Sequence, residues 1–253
     1  MNATYLRLEF LRVLREPVSL FFIVALPAFM YVIFGASQEW GEFRVGNGNV
    51  SMYTMIAMAA YGAVTATTGV GGSAGVERMQ GWGRQLGLTP LRDWQYMAVK
   101  AAVAMAVAAL PVVVIFGLGY FLGAEAAGST WVISMLIVFL GSAMFALYGL
   151  LFGLAFRTEG SVGVASASLV IFGFLGNVFM PLSGTMLAIA KFTPLYGYAA
   201  LARYPLTDGY TVDLNSGELI PGPLWQSLTS VVVWTLIFGA LVLLVVRRSR
   251  GRQ

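Results

Sequence analysis

The chain contains no cysteine and no histidine among its 253 residues. These two absences exclude disulfide bonds, thiolate and imidazole metal sites, and catalysis by a cysteine nucleophile or a histidine base. Charge is also scarce: 10% of the residues are charged and 58% are hydrophobic, whereas soluble domains carry about 25% charged residues. With a mean hydropathy of +0.80, the composition predicts an integral membrane protein.

Ionised side chains are absent from six long apolar stretches. A helix rises about 1.5 Å per residue, so about 20 apolar residues cross the hydrocarbon core. The stretches lack the alternation of barrel strands and therefore predict an all-α protein, a single membrane domain over residues 1–253. The predicted transmembrane spans are Val18–Ser37, Ser51–Gly75, Ala101–Gly123, Trp131–Phe156, Ser161–Pro181 and Leu224–Val246.

The positive charges fall mainly on one side of these spans. Of the 15 lysines and arginines, all but Arg44, Lys191 and Arg203 lie on the side of both termini. Because cytoplasmic loops are enriched in positive charge, both termini are predicted to be cytoplasmic. The basic cluster 247–252 directly follows a span, which favours an anchor to anionic lipid over the alternative of a nucleic-acid patch.

The sequence offers no energy source of its own. A phosphate-binding P-loop requires Gly-Lys before Ser or Thr, but Lys100 follows Val99 and Lys191 follows Ala190. The predicted spans also lack the ionisable residues that ion-coupled transporters place at membrane depth. We therefore expect energy to come from a separate subunit, although ion coupling through backbone carbonyls remains an alternative.

Two further patterns concern helix packing and the interface. Leu6, Phe10 and Val13 share one face of segment 2–17, which predicts an interfacial amphipathic helix; a simple topogenic flank is the alternative.

Gly149 and Gly153 form a GxxxG pair, and more glycines close the second span. These small residues predict close helix packing, and a seam that shifts when a pathway opens is a compatible reading.

Loop 76–99 mixes charges with leucines and two tryptophans and begins a new helical segment at Thr89-Pro90. It is predicted to dock on another protein; resting on lipid headgroups is the alternative. Its pattern resembles the E-R-x-x-G…L…T-P-L…K run of type-2 ABC transporter permeases, with Gln80 near a position where that family often has Glu. The residues that carry the resemblance are Glu77, Arg78, Gly81, Leu86, Thr89, Pro90, Leu91 and Lys100.

Two other segments are similar to the same family. Arg15-Glu16-Pro17 opens the first span, and residues 177–205 resemble a proline-bearing fifth span, a re-entrant helical hairpin and an outer loop. The outer segment is 183–223. Within it, residues 185–205 are expected to dip into the outer leaflet with Lys191 and Arg203 at the surface. A pair of helices lying on the surface is the alternative.

The resemblance implies a permease, itself not an enzyme, in the plasma membrane of a bacterium. It would export a hydrophobic or amphiphilic drug, antibiotic peptide or lipid, together with an identical or sibling permease. A pair of cytoplasmic ABC ATPase subunits would bind ATP and Mg. The ATPase-coupling residues would be Glu77, Arg78, Gly81, Trp82, Arg84, Leu88, Thr89 and Pro90. The substrate pathway would include Thr65, Thr68, Asn177 and Phe179.

Three alternatives to this function remain at the level of sequence. They are an ion-coupled carrier or channel half, a membrane-bound enzyme, and an accessory membrane subunit without transport of its own. The absence of ionisable groups at membrane depth disfavours the first. The absence of histidine, cysteine and acidic pairs in the spans disfavours the second.

Overall fold

The computed structural model describes residues 3–80, 93–156, 158, 160–212 and 219–250, and it is mostly helical. The helices are α1 (Ala3–Leu14), α2 (Pro17–Ala36), α3 (Val50–Met79), α4 (Asp93–Phe121), α5 (Gly128–Gly141), α6 (Ala143–Phe156), α7 (Gly160–Leu175), α8 (Gly184–Ala190), α9 (Pro194–Thr207) and α10 (Leu224–Arg250). Two short antiparallel hairpins pair β1 (Arg44–Val45) with β2 (Gly48–Asn49) and β3 (Tyr210–Val212) with β4 (Leu219–Pro221).

Five helical segments of the described chain are long and apolar enough to cross a membrane: α2, α3, α4, the α5–α6 pair and α10. The chain is therefore an all-α polytopic membrane protein. The sixth predicted span, Ser161–Pro181, corresponds to α7, which has 16 residues and so spans about 24 Å. It ends at Leu175 because the chain turns at Asn177, whose φ of 58° is left-handed.

Helix α3 lies at the centre of the bundle and packs against α2, α4, α6, α7 and α9. Of its most apolar stretch, 83% is buried, compared with 11% for α10. This position accounts for its glycines, serines and threonines, because a helix that faces other helices needs small side chains more than lipid-soluble ones. The helix with the weakest hydropathy is thus the core of the fold.

Helices α3 and α6 meet backbone to backbone through glycines. A Cβ on Gly149 would overlap the carbonyl oxygen of Thr68, and one on Gly153 would overlap that of Gly72. On the α3 side, a Cβ on Gly75 would lie 2.8 Å from the carbonyl oxygen of Leu150. The prediction of close packing is confirmed, and the idea that this contact shifts during transport stays a prediction.

The loops predicted to lie outside the cell meet at one end of the bundle. Asn49 caps α3 by accepting a bond from the Met52 amide at 2.9 Å, and its side-chain amide donates to the Gly123 carbonyl at 2.8 Å. The backbone amide of Asn47 donates to Leu206 at 2.8 Å. Helix α1 and the last turn of α3 meet at the opposite end of the bundle, and that this end is cytoplasmic stays a prediction.

Helix α9 is packed among α5, α7 and α10 rather than lying on a surface. Its inward side chains are fully buried: Leu195, Tyr198, Ala202 and Leu206. The prediction that Arg203 remains at the surface is wrong, since this residue is 4% exposed. Its guanidinium lies 3.8 Å from the centre of the Tyr53 ring and donates to the Asn177 carbonyl, contacts that replace water.

Replacing Gly153 by Ala should push α6 away from α3, because the added methyl group meets backbone rather than a movable side chain. Overpacking of this kind costs about 1–3 kcal/mol. Thermal unfolding of the purified protein, followed by tryptophan fluorescence, should show a Tm lower by several degrees. Gly117→Ala is the matched control, since open space surrounds its Cβ position. Equal Tm values for the two variants would contradict the packing.

Candidate functional site

A buried lysine joins three helices at the end of the bundle that is predicted to be cytoplasmic. The Nζ atom of Lys100 lies 2.6 Å from Oε2 of Glu9 and 2.7 Å from Oε2 of Glu77. Lys100 is only 5% exposed. Arg12 completes the group by donating to Oε1 of Glu77 at 3.0 Å. We call Glu9, Arg12, Glu77 and Lys100 the charge cluster.

The cluster is positioned by regular helical spacing. Glu9 and Arg12 are three residues apart on α1 and therefore neighbours on its surface. Glu77 lies in the last turn of α3, and Lys100 lies two turns into α4. Segment 80–92 joins those two helices. The cluster thus ties α1 to both helices that flank this segment.

Two tyrosines cover the charged groups. Tyr96 donates its hydroxyl to Oε2 of Glu77 at 2.8 Å, and its ring stacks on Tyr5 with centroids 6.5 Å apart. Burial raises the pKa of the Tyr5 hydroxyl, and the carboxylates of Glu9 and Glu77 raise it further, so Tyr5 keeps its proton. The carboxylates of Glu9 and Glu77 lie beside the cations Arg12 and Lys100 in a half-buried environment. Ionic contacts are stronger there than in water.

The cluster balances its own charge. Two carboxylates face one ammonium and one guanidinium, so the group carries no net charge if all four are ionised. Burial lowers the pKa of Arg12, but Glu77 and Glu9 more than offset this effect, and the pKa is raised overall. Such balance matters because a buried charge without its partner is strongly destabilising.

A cavity of about 170 Å³ opens beside the cluster. Its lining combines charged residues, namely the cluster and Glu16, with apolar residues from five helices. The apolar lining includes Ile23, Ala66, Val70, Val103 and Val162. Ligand sites usually measure about 300–1,000 Å³, so this cavity accommodates only part of a drug-sized molecule unless the helices separate.

The two predicted pathway threonines do not line this cavity. The Thr65 hydroxyl donates to the carbonyl of Tyr61 at 2.8 Å, within its own helix. Thr68 is fully buried and donates to the Phe145 carbonyl of α6 at 3.3 Å. The cavity is lined instead by the residues that follow each of them, Ala66 and Gly69.

The other two predicted pathway residues lie nearer the opposite end of the bundle. Asn177 is buried and lines a second, smaller cavity. Phe179 packs edge-on against Tyr61 of α3, with ring centroids 4.7 Å apart, and against Phe174 at 5.1 Å. Along α3, Tyr61 lies between Tyr53 of the second cavity and Ala66 of the first. This aromatic contact therefore lies between the levels of the two cavities along α3.

A family model described as an ABC-2 family transporter protein matches residues 41–244. The chain belongs to the ABC-2 transporter family. It is also 24% identical over 168 residues to a Bacillus subtilis (strain 168) protein provisionally named a transport permease, YvfS. That match covers 64% of this chain and 63% of the relative, so the chain spans just under two thirds of the relative's length.

Proteins of the ABC-2 family are membrane transport proteins, and its permeases generally work with a cytoplasmic ATPase. Of the predicted coupling residues, Glu77 lies in the charge cluster and Arg78 lies in the last turn of α3. The remaining six lie outside the described residues: Gly81, Trp82, Arg84, Leu88, Thr89 and Pro90. The coupling roles of all eight stay predictions.

Sequence reasoning did not assemble the charge cluster. It named Glu77 and Lys100 as parts of the loop pattern, but it did not predict that they contact each other or α1. One usable signal was present, because Lys100 immediately precedes a predicted span and an ionised residue there needs a partner. Its partners are 91 and 23 residues away in sequence, so no local pattern identifies them.

Replacing Lys100 by Met should leave Glu9 and Glu77 without the ammonium group that lies between them, and Arg12, which contacts only Glu77, does not replace it. Removing one partner of a buried ion pair costs about 3–5 kcal/mol, so the Tm of the purified protein should fall markedly. Adding Glu9→Gln and Glu77→Gln should restore most of the loss, since the repulsion disappears. Lys191→Met, at the end of α8, serves as the control. A Lys100→Met protein as stable as the control would show that the cluster contributes little.

Proposed function

We propose that this ABC-2 protein is the permease subunit of an ATP-driven exporter, with six membrane crossings and both termini in the cytoplasm. A separate pair of ATPase subunits would bind ATP and Mg and hydrolyse the nucleotide. The observation that carries this proposal is the charge cluster, which binds α1, α3 and α4 together beside segment 80–92. That segment carries the pattern of the family's ATPase-docking loop.

The cluster provides a physical route for the work done by the ATPase. A subunit that displaces segment 80–92 moves the ends of α3 and α4, to which the segment is joined. Lys100 holds those ends to each other and to α1 through contacts of 2.6 and 2.7 Å. Separating these charges in a half-buried site costs several kcal/mol, so the three helices respond as one unit.

The cargo is proposed to enter the cavity beside the cluster. Its apolar lining residues suit a hydrocarbon group, and its charged lining residues suit a polar head at the membrane surface. A cargo whose charge had to cross the bundle from this cavity would find no partner among its apolar lining residues Ile23, Ala66, Val70, Val103 and Val162. The cargo is therefore an amphiphile or a hydrophobe, such as a drug, an antibiotic peptide or a lipid.

The contact between Tyr61 and Phe179 would keep the pathway closed to the outside in the conformation described. Export requires this contact to open while the cavity beside the cluster closes. A second permease, identical or a sibling, would complete the pathway. Helix α2 would face lipid or that partner, since only 22% of its span is buried and Phe21, Phe22 and Phe29 are exposed.

Replacing Arg84 by Glu should weaken coupling to the ATPase, because it reverses a charge in the docking segment and leaves the four residues of the charge cluster unchanged. The protein would be purified with a candidate ATPase that carries a Walker A motif, and ATP hydrolysis would be measured. Stimulated hydrolysis should fall severalfold. Arg44→Glu, an exposed charge at the opposite end, should leave hydrolysis unchanged. If no such ATPase binds, or if the two variants behave alike, the coupling assignment fails and an accessory subunit becomes the better reading.

Replacing Phe179 by Ala should remove the aromatic contact that lies between the levels of the two cavities along α3. In vesicles that contain this variant, the rate at which a fluorescent amphiphilic dye crosses the membrane without ATP should then rise severalfold. Phe192→Ala is the control, because this ring is 80% exposed. Unchanged passage in the Phe179 variant would place the closure of the pathway elsewhere.

A further inference from the structure

The most unusual charge in the protein is Arg203 of α9. It is 4% exposed and lies near the predicted outer end of the bundle, away from the charge cluster. Its Nη1 group donates to the Asn177 carbonyl at 2.7 Å and to the Tyr53 hydroxyl at 3.0 Å. The guanidinium also lies 3.8 Å from the centre of the Tyr53 ring. All these partners are neutral.

No carboxylate pairs with Arg203 in the part of the chain that the structure describes. The ion pairs found there involve only Arg12 and Lys100 as cations. The Nε atom of Arg203 is buried and has no hydrogen-bond acceptor. A buried charge costs several kcal/mol unless it is paired and its donors are satisfied. Arg203 meets neither requirement, which points to a missing negative partner.

A cavity lies beside this guanidinium. It is lined by polar groups of several elements, among them Tyr53, Tyr196, Thr211, Gln226 and Ser227. Its volume of about 30 Å³ exceeds the roughly 10–15 Å³ that one water molecule occupies by this measure. The space fits one small ion or one carboxylate group, and it is too small for a lipid headgroup. Hydroxyl and amide groups offer further donors to an anion.

The surroundings of the cavity give an anion there a structural consequence. Asn177 belongs to the turn after α7, Tyr53 to the first turn of α3, and Ser227 to the first turn of α10. Arg203 contacts the first two directly. An anion paired with the guanidinium would offset the cost of burying its charge and so stabilise the closed outer end.

We propose that Arg203 and the polar groups of this cavity bind one small monovalent anion from the outer side. The ligand is chloride or the carboxylate of a small organic acid, which share a single negative charge and a size that fits. The bound anion holds α9 against α3 and the turn after α7. This proposal does not depend on the identity of the cargo or of the ATPase.

The test measures thermal unfolding of the full chain in lipid nanodiscs, without an ATPase. Chloride replaces the larger anion gluconate stepwise at constant ionic strength, and acetate replaces it in a parallel series. The expected result is a saturable rise in Tm of about 3 °C with chloride or acetate, because a ligand that binds only the folded state stabilises it. The anion that acts at the lower concentration identifies the source.

Arg203→Gln should abolish the dependence on the anion, whereas Lys191→Gln, on the neighbouring helix α8, should retain it. If Arg203→Gln does not fold, Arg203→Lys replaces it; this variant keeps the charge but loses the Nε donor and should need severalfold more anion. A Tm that does not respond to either anion overturns the proposal. So does an equal response in the wild type and the Arg203 variants.

A carboxylate of the chain itself is the rival partner. Asp213 and Glu218 lie outside the described residues. In the sequence, Asp213 directly follows β3 and Glu218 directly precedes β4. Asp213→Asn and Glu218→Gln should each leave the anion response unchanged. If either variant lowers the Tm as much as Arg203→Gln, and combining it with Arg203→Gln adds nothing, the pair is internal and the proposal is overturned.

Discussion

The fold depends on one buried ammonium group, that of Lys100, held between two carboxylates from different helices. A lysine 5% exposed beside a membrane span is tolerable only because Glu9 and Glu77 lie within 2.7 Å of it. This requirement fixes α1 against the ends of α3 and α4. It also places the charge cluster at the two helix ends that segment 80–92 joins, so that, under the proposed function, a force applied to this segment would reach three helices together.

Under the proposed function, helix α3 would distribute that force, because it contacts α2, α4, α5, α6, α7 and α9. Its glycines bring α6 to backbone contact, its first turn carries Tyr53 to Arg203, and its last turn carries Glu77 to Lys100. A movement of α3 therefore reaches both cavities and the aromatic contact between them. Small residues make this possible, since a close backbone contact transmits displacement without intervening flexible side chains.

The sequence predicted features that rest on local signals. Hydropathy located α3 and α10 to within one residue at their first positions, and the GxxxG pair predicted the contact of Gly149 and Gly153 with α3. It could not predict the end of α7, which depends on one left-handed residue, or the burial of Arg203, whose aromatic partner is 150 residues away. The charge cluster was missed for the same reason, because tertiary partners leave no trace in local periodicity.

The central claim is that Lys100 couples the ATPase to the bundle by tying α1 to α3. Because the chain has no cysteine, the pair Arg12→Cys and Glu77→Cys gives two unique sites for a short bismaleimide cross-linker. In a protein that also carries Lys100→Met, ATP-driven transport is measured before and after cross-linking. The account predicts that transport is low before cross-linking and recovers once the covalent tie replaces the ionic one. Transport that is normal beforehand, or that fails to recover, would contradict it.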